Sequence, residues 1–418
     1  MKTIIFNIGK LYTLDHKDLP LKYDALKHSD IIEDAYLVIK DEIIEAYGSG
    51  DYSKYVDADT ELFDAEGQIV LPGLIDAHTH LVFGGSREHE YDLKLQGVAY
   101  LDILRQGGGI LNTVESTRKA SFDELYDKAM HFADIMLLHG VTTVEAKTGY
   151  GLDTETELKQ LRVALKVDHD HPIGIVNTFM PAHAIPKEHK ENPDVYIDYI
   201  VDEMLPELSK YKDDAKYVDI FCEDAVFNKE QSRRVLEKAK QLGFKVKIHA
   251  DEVVPMGGAA LAADINALSA EHLMATSDDD MDKMSKANVI ANLLPATSFN
   301  LGKDYARARL MIDKGIAVTI CSDFNPGSCP NANMQLTLQI ASRGYKMTPL
   351  EVYNSAIVNG SCSLELSDEI GSIKVGKKAD IVIMNAPNIE YTIYNFGINH
   401  VSHVFKNGDL VVYNQQII

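Results

Sequence analysis

Residues 69–80 read IVLPGLIDAHTH: an apolar run, a break at Pro72 and Gly73, a second apolar run, and a polar end at His78 and His80. Successive side chains of a strand point to opposite faces, so the imidazoles of His78-Thr79-His80 share one side and are close enough to share one ion. Taken alone, such a pair also occurs where histidines merely pack. Its context is a theme that recurs between Gln68 and Asp323: a short β-branched run ending in a polar residue, then a stretch with helical spacing. The later runs are VTTVEAK from Val141, IGIVNTFMPAH from Ile173, YVDIFCED from Tyr217, KVKIHADE from Lys245, ALSAEH from Ala267, VIANLLPA from Val289 and AVTICSD from Ala317. Helical stretches separate most of them; in Glu230 to Gly243, Val235, Ala239 and Leu242 share a face and Gly243 suits the stop.

This alternation is how a parallel sheet wrapped in helices is written. Eight such runs predict an α/β fold, a closed TIM-like (β/α)₈ barrel, with its chemistry at the C-terminal ends of the strands. Residues able to do chemistry stand there: His183 after the third run, Glu223 after the fourth, His249 and Glu252 at the fifth, His272 at the sixth and Asp323 at the eighth. His78, His80, His249 and Asp323 would give one ion three neutral imidazoles and a carboxylate, leaving room for a water, which is the composition of a catalytic site; a structural zinc would use more thiolate. Glu252, three residues beyond His249, is placed to shuttle a proton, or is a glutamate favoured by a helix N-terminus. His272 would hydrogen-bond the water or an oxyanion, or else is a core histidine. The catalytic set expected is therefore Glu252, His272 and Asp323.

The chain's 418 residues suit one large barrel with a smaller satellite, and 45% hydrophobic with 25% charged residues is an ordinary globular composition. Residues 1–66 hold strand-like pieces, TIIFNIGKLYTL, AYLVIKDEIIEAYG and TELFDAEG; the tail offers ADIVIMN and HVSHVFKNGDLVVYN, with an Asn-Gly turn. Neither end has an obvious core of its own. The economical solution is one small β-sandwich built from residues 1–66 and 366–418, flanking a barrel over 67–365. The long excursion from Leu81 to Leu138, with Gly107, Gly108 and Gly109 ahead of TVESTRKA, is expected to wall the pocket. A net charge of -22 argues against nucleic acid and anionic membranes, so an anionic substrate must be met by local cations. The N-terminus lacks a continuous apolar segment, no run is long enough to cross a bilayer, and four scattered cysteines without CxxC spacing favour reduced thiols in the cytoplasm.

At these residues the chain resembles the amidohydrolase superfamily, whose single-metal members carry HxH after strand one, His after strands five and six and Asp after strand eight. The segment GSIKVGKKADIVIM, from Gly371, looks like that superfamily's strand returning to the small β-domain. Within it, HTHLVFGGSREHEY, GGGILNTVESTR, TTVEAKTGYGLD, MPAHAIP, DIFCED, KIHADE, SAEHL and SDFNPGSCPN are similar in order to the imidazolonepropionase family over nearly the whole chain. The resemblance implies hydrolysis of 4-imidazolone-5-propanoate to N-formimidoyl-L-glutamate in histidine degradation, with one divalent or trivalent ion per chain, zinc or iron. It implies substrate contacts at Arg87, Tyr150, His183, Glu252, Asn325, Gly327 and Ser328, the last keeping a hydroxyl where the family often has threonine. A propanoate arm asks for a cation that grips a carboxylate in two places, which Arg87 can do, unless it is a solvated loop arginine. Tyr150, between two glycines, can cover a ring or simply pack. The expected partners are a small anionic heterocycle and a second copy in a homodimer. Cys222-Glu223-Asp224 ends the fourth run where two-metal members need a lysine. The alternatives are a purine or pyrimidine ring deaminase, against which Arg87 and TGYG stand, and a metal-free structural relative, which would have lost ligands.

Overall fold

The computed structural model describes residues 2–97 and 108–418. The chain opens with strands β1 (Lys2–Tyr12), β2 (Ile31–Lys40), β3 (Ile43–Ser49), β4 (Thr60–Asp64) and β5 (Ile69–Pro72). Eight strands follow: β6 (Leu74–Asp76), β7 (Val141–Lys147), β8 (Gly174–Ala182), β9 (Tyr217–Cys222), β10 (Lys245–Ala250), β11 (Ser269–His272), β12 (Ile290–Leu293) and β13 (Val318–Ile320). It closes with β14 (Ile381–Met384), β15 (Val401–Lys406), β16 (Asp409–Tyr413) and β17 (Gln416–Ile417).

Strands β6 to β13 lie side by side in chain order, each parallel to the next. The ring is closed where β6 and β13 run out: Thr79 bridges Phe324, Asp323 N–H donates to His78 O at 3.1 Å and His80 N–H donates to Phe324 O at 2.8 Å. Just below, Asp76 accepts from the Ser322 amide and hydroxyl at 2.9 and 2.5 Å. Helices cover the outside. The helix Lys229–Gln241 begins with a reciprocal cap between Asn228 and Gln231 and buries Val235, Leu236 and Ala239.

Both chain ends build the second sheet, in the order β17-β16-β15-β14-β5-β1-β2-β3 with β4 beside β1. Its strands hydrogen-bond into one mixed sheet, parallel at β1–β4 and β1–β5, that encloses Ile5, Ile8, Leu37, Val70, Ile381 and Phe405. Strand β14 pairs antiparallel with β5, Val382 opposite Leu71, so the tail docks on the strand that leads into the barrel. The run 69–80 thus divides at Gly73 between two sheets. A side chain there would stand 2.2 Å from Thr142 Oγ1, which is why only glycine makes the crossing. The β15–β16 hairpin turns at Asn407 and Gly408 with φ of 48° and 84°, the left-handed pair its two-residue turn needs. In the excursion after β6 lie helices Glu88–Leu95, Ile110–Lys119 and Phe122–Leu138; Gly107 falls outside the described residues. No helix among the described residues is long and apolar enough to cross a membrane.

Candidate metal centre and active site

His78 and His80 follow β6, His249 lies on β10, His272 ends β11 and Asp323 follows β13. His78 Nε2 is 3.5 Å and His80 Nε2 4.0 Å from Asp323 Oδ1. Ligand atoms of His78, His80 and His249 lie within 4.8 Å of one another, as do those of His78, His272 and Asp323. All five residues are buried. Burial drives the imidazoles of His78 and His80 well below their ordinary pKa, and that of His272 down to about 3, so their lone pairs are free at neutral pH. His78 Nε2, His249 Nε2 and His272 Nδ1 have no hydrogen-bond partner among the described residues. Buried polar atoms are nearly always paired, so orphaned nitrogens converging on a carboxylate fit a metal ion, and imidazole with carboxylate suits a borderline one. Residues His272 and Asp323 adopt the left-handed region, φ 69° and 58°, which turns each strand end into the mouth. The strain, about 1–3 kcal/mol per residue, is held at Asp323 by the bond to His78 O and by the Thr297 hydroxyl, 2.6 Å from Oδ2.

Beneath the histidines the barrel is charged. His78 Nδ1 is 2.8 Å from Glu271 Oε2, and His249 Nδ1 is 3.0 Å from Asp219 Oδ2. Lys147 Nζ lies 2.8 Å from Asp219 and 3.0 Å from Glu145, while Lys247 Nζ lies 2.7 Å from Glu145. The side chains of Lys147, Lys247, Glu145, Asp219 and Glu271 are fully buried. Burial pulls the Lys147 pKa down, but the Asp219 and Glu145 carboxylates outweigh it and hold the ammonium above its ordinary range. Burial likewise pushes Asp219 up, and the His249 ring and the Lys147 ammonium beside it hold it well below the usual carboxylate range. Sequence reasoning passed over these residues, although Glu145 with Lys147, and Lys247 with His249, are two apart inside apolar runs and so share a strand face.

Glu252 Oε2 stands 3.7 Å from His272 Nε2, and burial raises its carboxyl to about 7. Glu223 accepts the Val253 amide at 2.8 Å and Asp251 accepts those of Met256 and Gly258 at 3.0 and 3.1 Å, which fixes the backbone on both sides. The His183 ring stacks on His80 at 4.7 Å and lies 5.2 Å from Tyr150, itself 5.6 Å from His80. Burial raises the Tyr150 phenol, with Arg87 opposing and Asp323 adding. Asn325 Oδ1 accepts the Gly327 and Ser328 amides, both at 2.8 Å, and its Nδ2 donates to Ser328 Oγ at 2.8 Å. Gly327 leaves room for a guanidinium: a Cβ there would sit 1.5 Å from Arg87 Nη2. Arg87 Nε is buried without a hydrogen-bond partner among the described residues, 3.6 Å from Glu90 Oε2. The structure therefore gathers into one mouth every residue singled out for metal, substrate and proton transfer.

A parallel barrel presenting such donors at its strand ends is the architecture of a metal-dependent hydrolase. The model of the amidohydrolase family matches residues 69–411. Imidazolonepropionase of Alkaliphilus metalliredigens (strain QYMF) is 51% identical over 419 residues, covering 99% of each chain. That of Streptococcus pyogenes serotype M4 (strain MGAS10750) is 51% identical over 417 residues, again 99% of each. The chain belongs to the amidohydrolase family and, within it, to the imidazolonepropionases. Solved structures share the fold: an adenosine deaminase from Xanthomonas campestris with bound zinc has TM-score 0.74 at 18% identity, covering 100% of this chain and 94% of the other. An atrazine chlorohydrolase from Arthrobacter aurescens TC1 complexed with zinc has TM-score 0.72 at 16% identity, covering 100% and 96%.

Proposed function

We propose that the protein hydrolyses the ring amide of 4-imidazolone-5-propanoate to N-formimidoyl-L-glutamate in histidine degradation. The observation that carries this reading is the pairing of a cluster able to hold a metal ion with a partly buried guanidinium, Arg87, pressed against Gly327 in the same mouth. His78, His80, His249 and Asp323 would hold one ion, zinc or iron. When bound, such an ion supplies Lewis acidity, making a water acidic enough to attack a carbonyl at neutral pH.

The chain's own groups do the rest. Arg87 grips the propanoate carboxylate with its planar fork, and the Asn325–Ser328 loop offers hydroxyl and amide groups beside it. Tyr150 and His183 cover the ring. Asp323 and His272 orient the attacking water, and Glu252, beside His272, carries a proton to the ring nitrogen as the C–N bond opens. Free thiols at all four cysteines fit the reducing cytoplasm.

The test is hydrolysis of imidazolonepropanoate followed beside cytosine and guanine. Turnover of the first alone is expected; ammonia released from either base, with imidazolonepropanoate untouched, would replace this reading with a ring deaminase.

A further inference from the structure

The charges inside the barrel are not used by the proposed chemistry, yet they touch it from below. A carboxylate can only accept, so the Nδ1 of His78, hydrogen-bonded to Glu271 at 2.8 Å, carries that ring's proton, and the Nδ1 of His249, 3.0 Å from Asp219 but off the line of a hydrogen bond, faces the same kind of acceptor. Each ring then turns the lone pair of its orphaned Nε2 into the mouth. Both carboxylates are themselves fixed. Asp219 Oδ1 accepts the Ile220 and His249 amides at 2.7 and 3.2 Å, while Oδ2 faces Lys147 Nζ at 2.8 Å as well as His249. Glu271 Oε1 accepts the Ser269 hydroxyl at 2.5 Å and Oε2 faces His78. His80 is different: its Nδ1 is buried without a partner among the described residues and its plane is set by the stack on His183.

We infer that Asp219 and Glu271 are positioning residues for His249 and His78, fixing tautomer and ring orientation so that both imidazoles present Nε2 to the ion. The inference rests on the metal reading above. Partners of this kind govern metal affinity because they set both the direction and the basicity of the ligand nitrogen. Glu145 supplies the comparison within the same cluster. It is equally buried and pairs with Lys147 at 3.0 Å and Lys247 at 2.7 Å, but its contacts are with lysines and the Thr178 hydroxyl, not with an imidazole. A merely structural role predicts that losing any one of these three negative charges has the same effect; positioning predicts that Glu145 stands apart.

The experiment strips the full chain of metal and titrates Asp219→Asn, Glu271→Gln and Glu145→Gln with Co²⁺, read by its visible absorption bands, and with Zn²⁺ against a chelator. For Asp219→Asn and Glu271→Gln we expect affinity to fall roughly 10- to 100-fold with shifted cobalt bands. Glu145→Gln should keep wild-type bands and affinity while its thermal midpoint drops. Ser269→Ala removes only the hydroxyl on Glu271, so it remains informative if a charge variant fails to fold; about a 5-fold loss of affinity is expected, the weight of one hydrogen bond. Equal weakening in Glu145→Gln, or wild-type affinity and bands in Asp219→Asn, Glu271→Gln and Ser269→Ala, overturns the inference and leaves the metal reading intact. A wild-type chain that binds neither ion overturns both.

Discussion

Arg87 and Glu252 approach the same mouth from different loops, and substitution separates their work. Glu252→Gln keeps the shape of the side chain but cannot carry a proton. Its kcat should fall by roughly 10²- to 10⁴-fold, with metal content by elemental analysis unchanged; normal turnover would move proton transfer elsewhere. Arg87→Met should lower kcat/KM by about 2 to 4 kcal/mol, as when one partner of a buried charge pair is truncated, or roughly 30- to 800-fold. Lysine should rescue only in part, because a point charge does not reproduce the fork. An analogue without the carboxylate is the control: wild type and variant should hydrolyse it equally poorly, and a common loss on both substrates would make Arg87 a support of the pocket. Glu252 was legible because it stands just past the polar end of an apolar run, whereas Arg87 was marked by the family resemblance and by the need of an anionic substrate for a local cation. Asp219 and Glu271 were not legible, since they sit within the runs, where composition reads them as interruptions of a strand, and Lys147, though it ends its run, reads as an ordinary solvated lysine. Which of the strand's two faces looks inward is fixed only when the ring closes.

At the scale of an element, the helix Thr154–Asp170 does more than cover β8. From its first turns Glu157 accepts the amides of Gly149, Gly151 and Leu152 at 3.0, 2.9 and 2.9 Å, and Gln160 accepts that of Tyr150 at 3.2 Å. The loop that carries Tyr150 is thereby tied to a rigid helix. Glu157→Gln turns an NH₂ group toward those amides, which costs about 1 to 3 kcal/mol in unmet hydrogen bonding. The expected outcome is a KM raised several-fold with metal content unchanged; a loss of kcat at constant KM would mean that the loop serves the chemistry instead of binding. The sequence marked this segment by its two glycines and showed the strand and helix on either side, but it could not show that a glutamate several residues on holds the loop. Nor did the run 69–80 announce that it serves two sheets: the break at Pro72 and Gly73 was visible, whereas its cause, the approach of Thr142, is a contact across the fold.

For the whole molecule, the ion is expected to be a stabiliser as well as a reagent. An ion that binds only the folded chain adds about 4 kcal/mol when present at a thousand times its Kd, so stripping the metal should lower the thermal midpoint measurably, and restoring it should bring the midpoint back. Elemental analysis should then find about one ion per chain, as four protein ligands and a water fill one site; activity proportional to a second tightly held ion would contradict a single centre. The seam of the barrel adds a consequence for how the protein comes into being. The hydrogen bonds from Asp323 to His78 O and from His80 to Phe324 O join the first strand of the ring to the last. During synthesis the histidine pair leaves the ribosome early and must wait for most of the chain before its carboxylate partner emerges. Contacts so distant in sequence form late and slowly. A donor set split across that seam is complete only in a finished ring, so a truncated or half-folded chain lacks the full site. Amide hydrogen exchange at His80 and Asp323 should accordingly be slow in the loaded protein and much faster once the metal is withdrawn, because an ion held from both sides would fasten the first strand of the ring to the last.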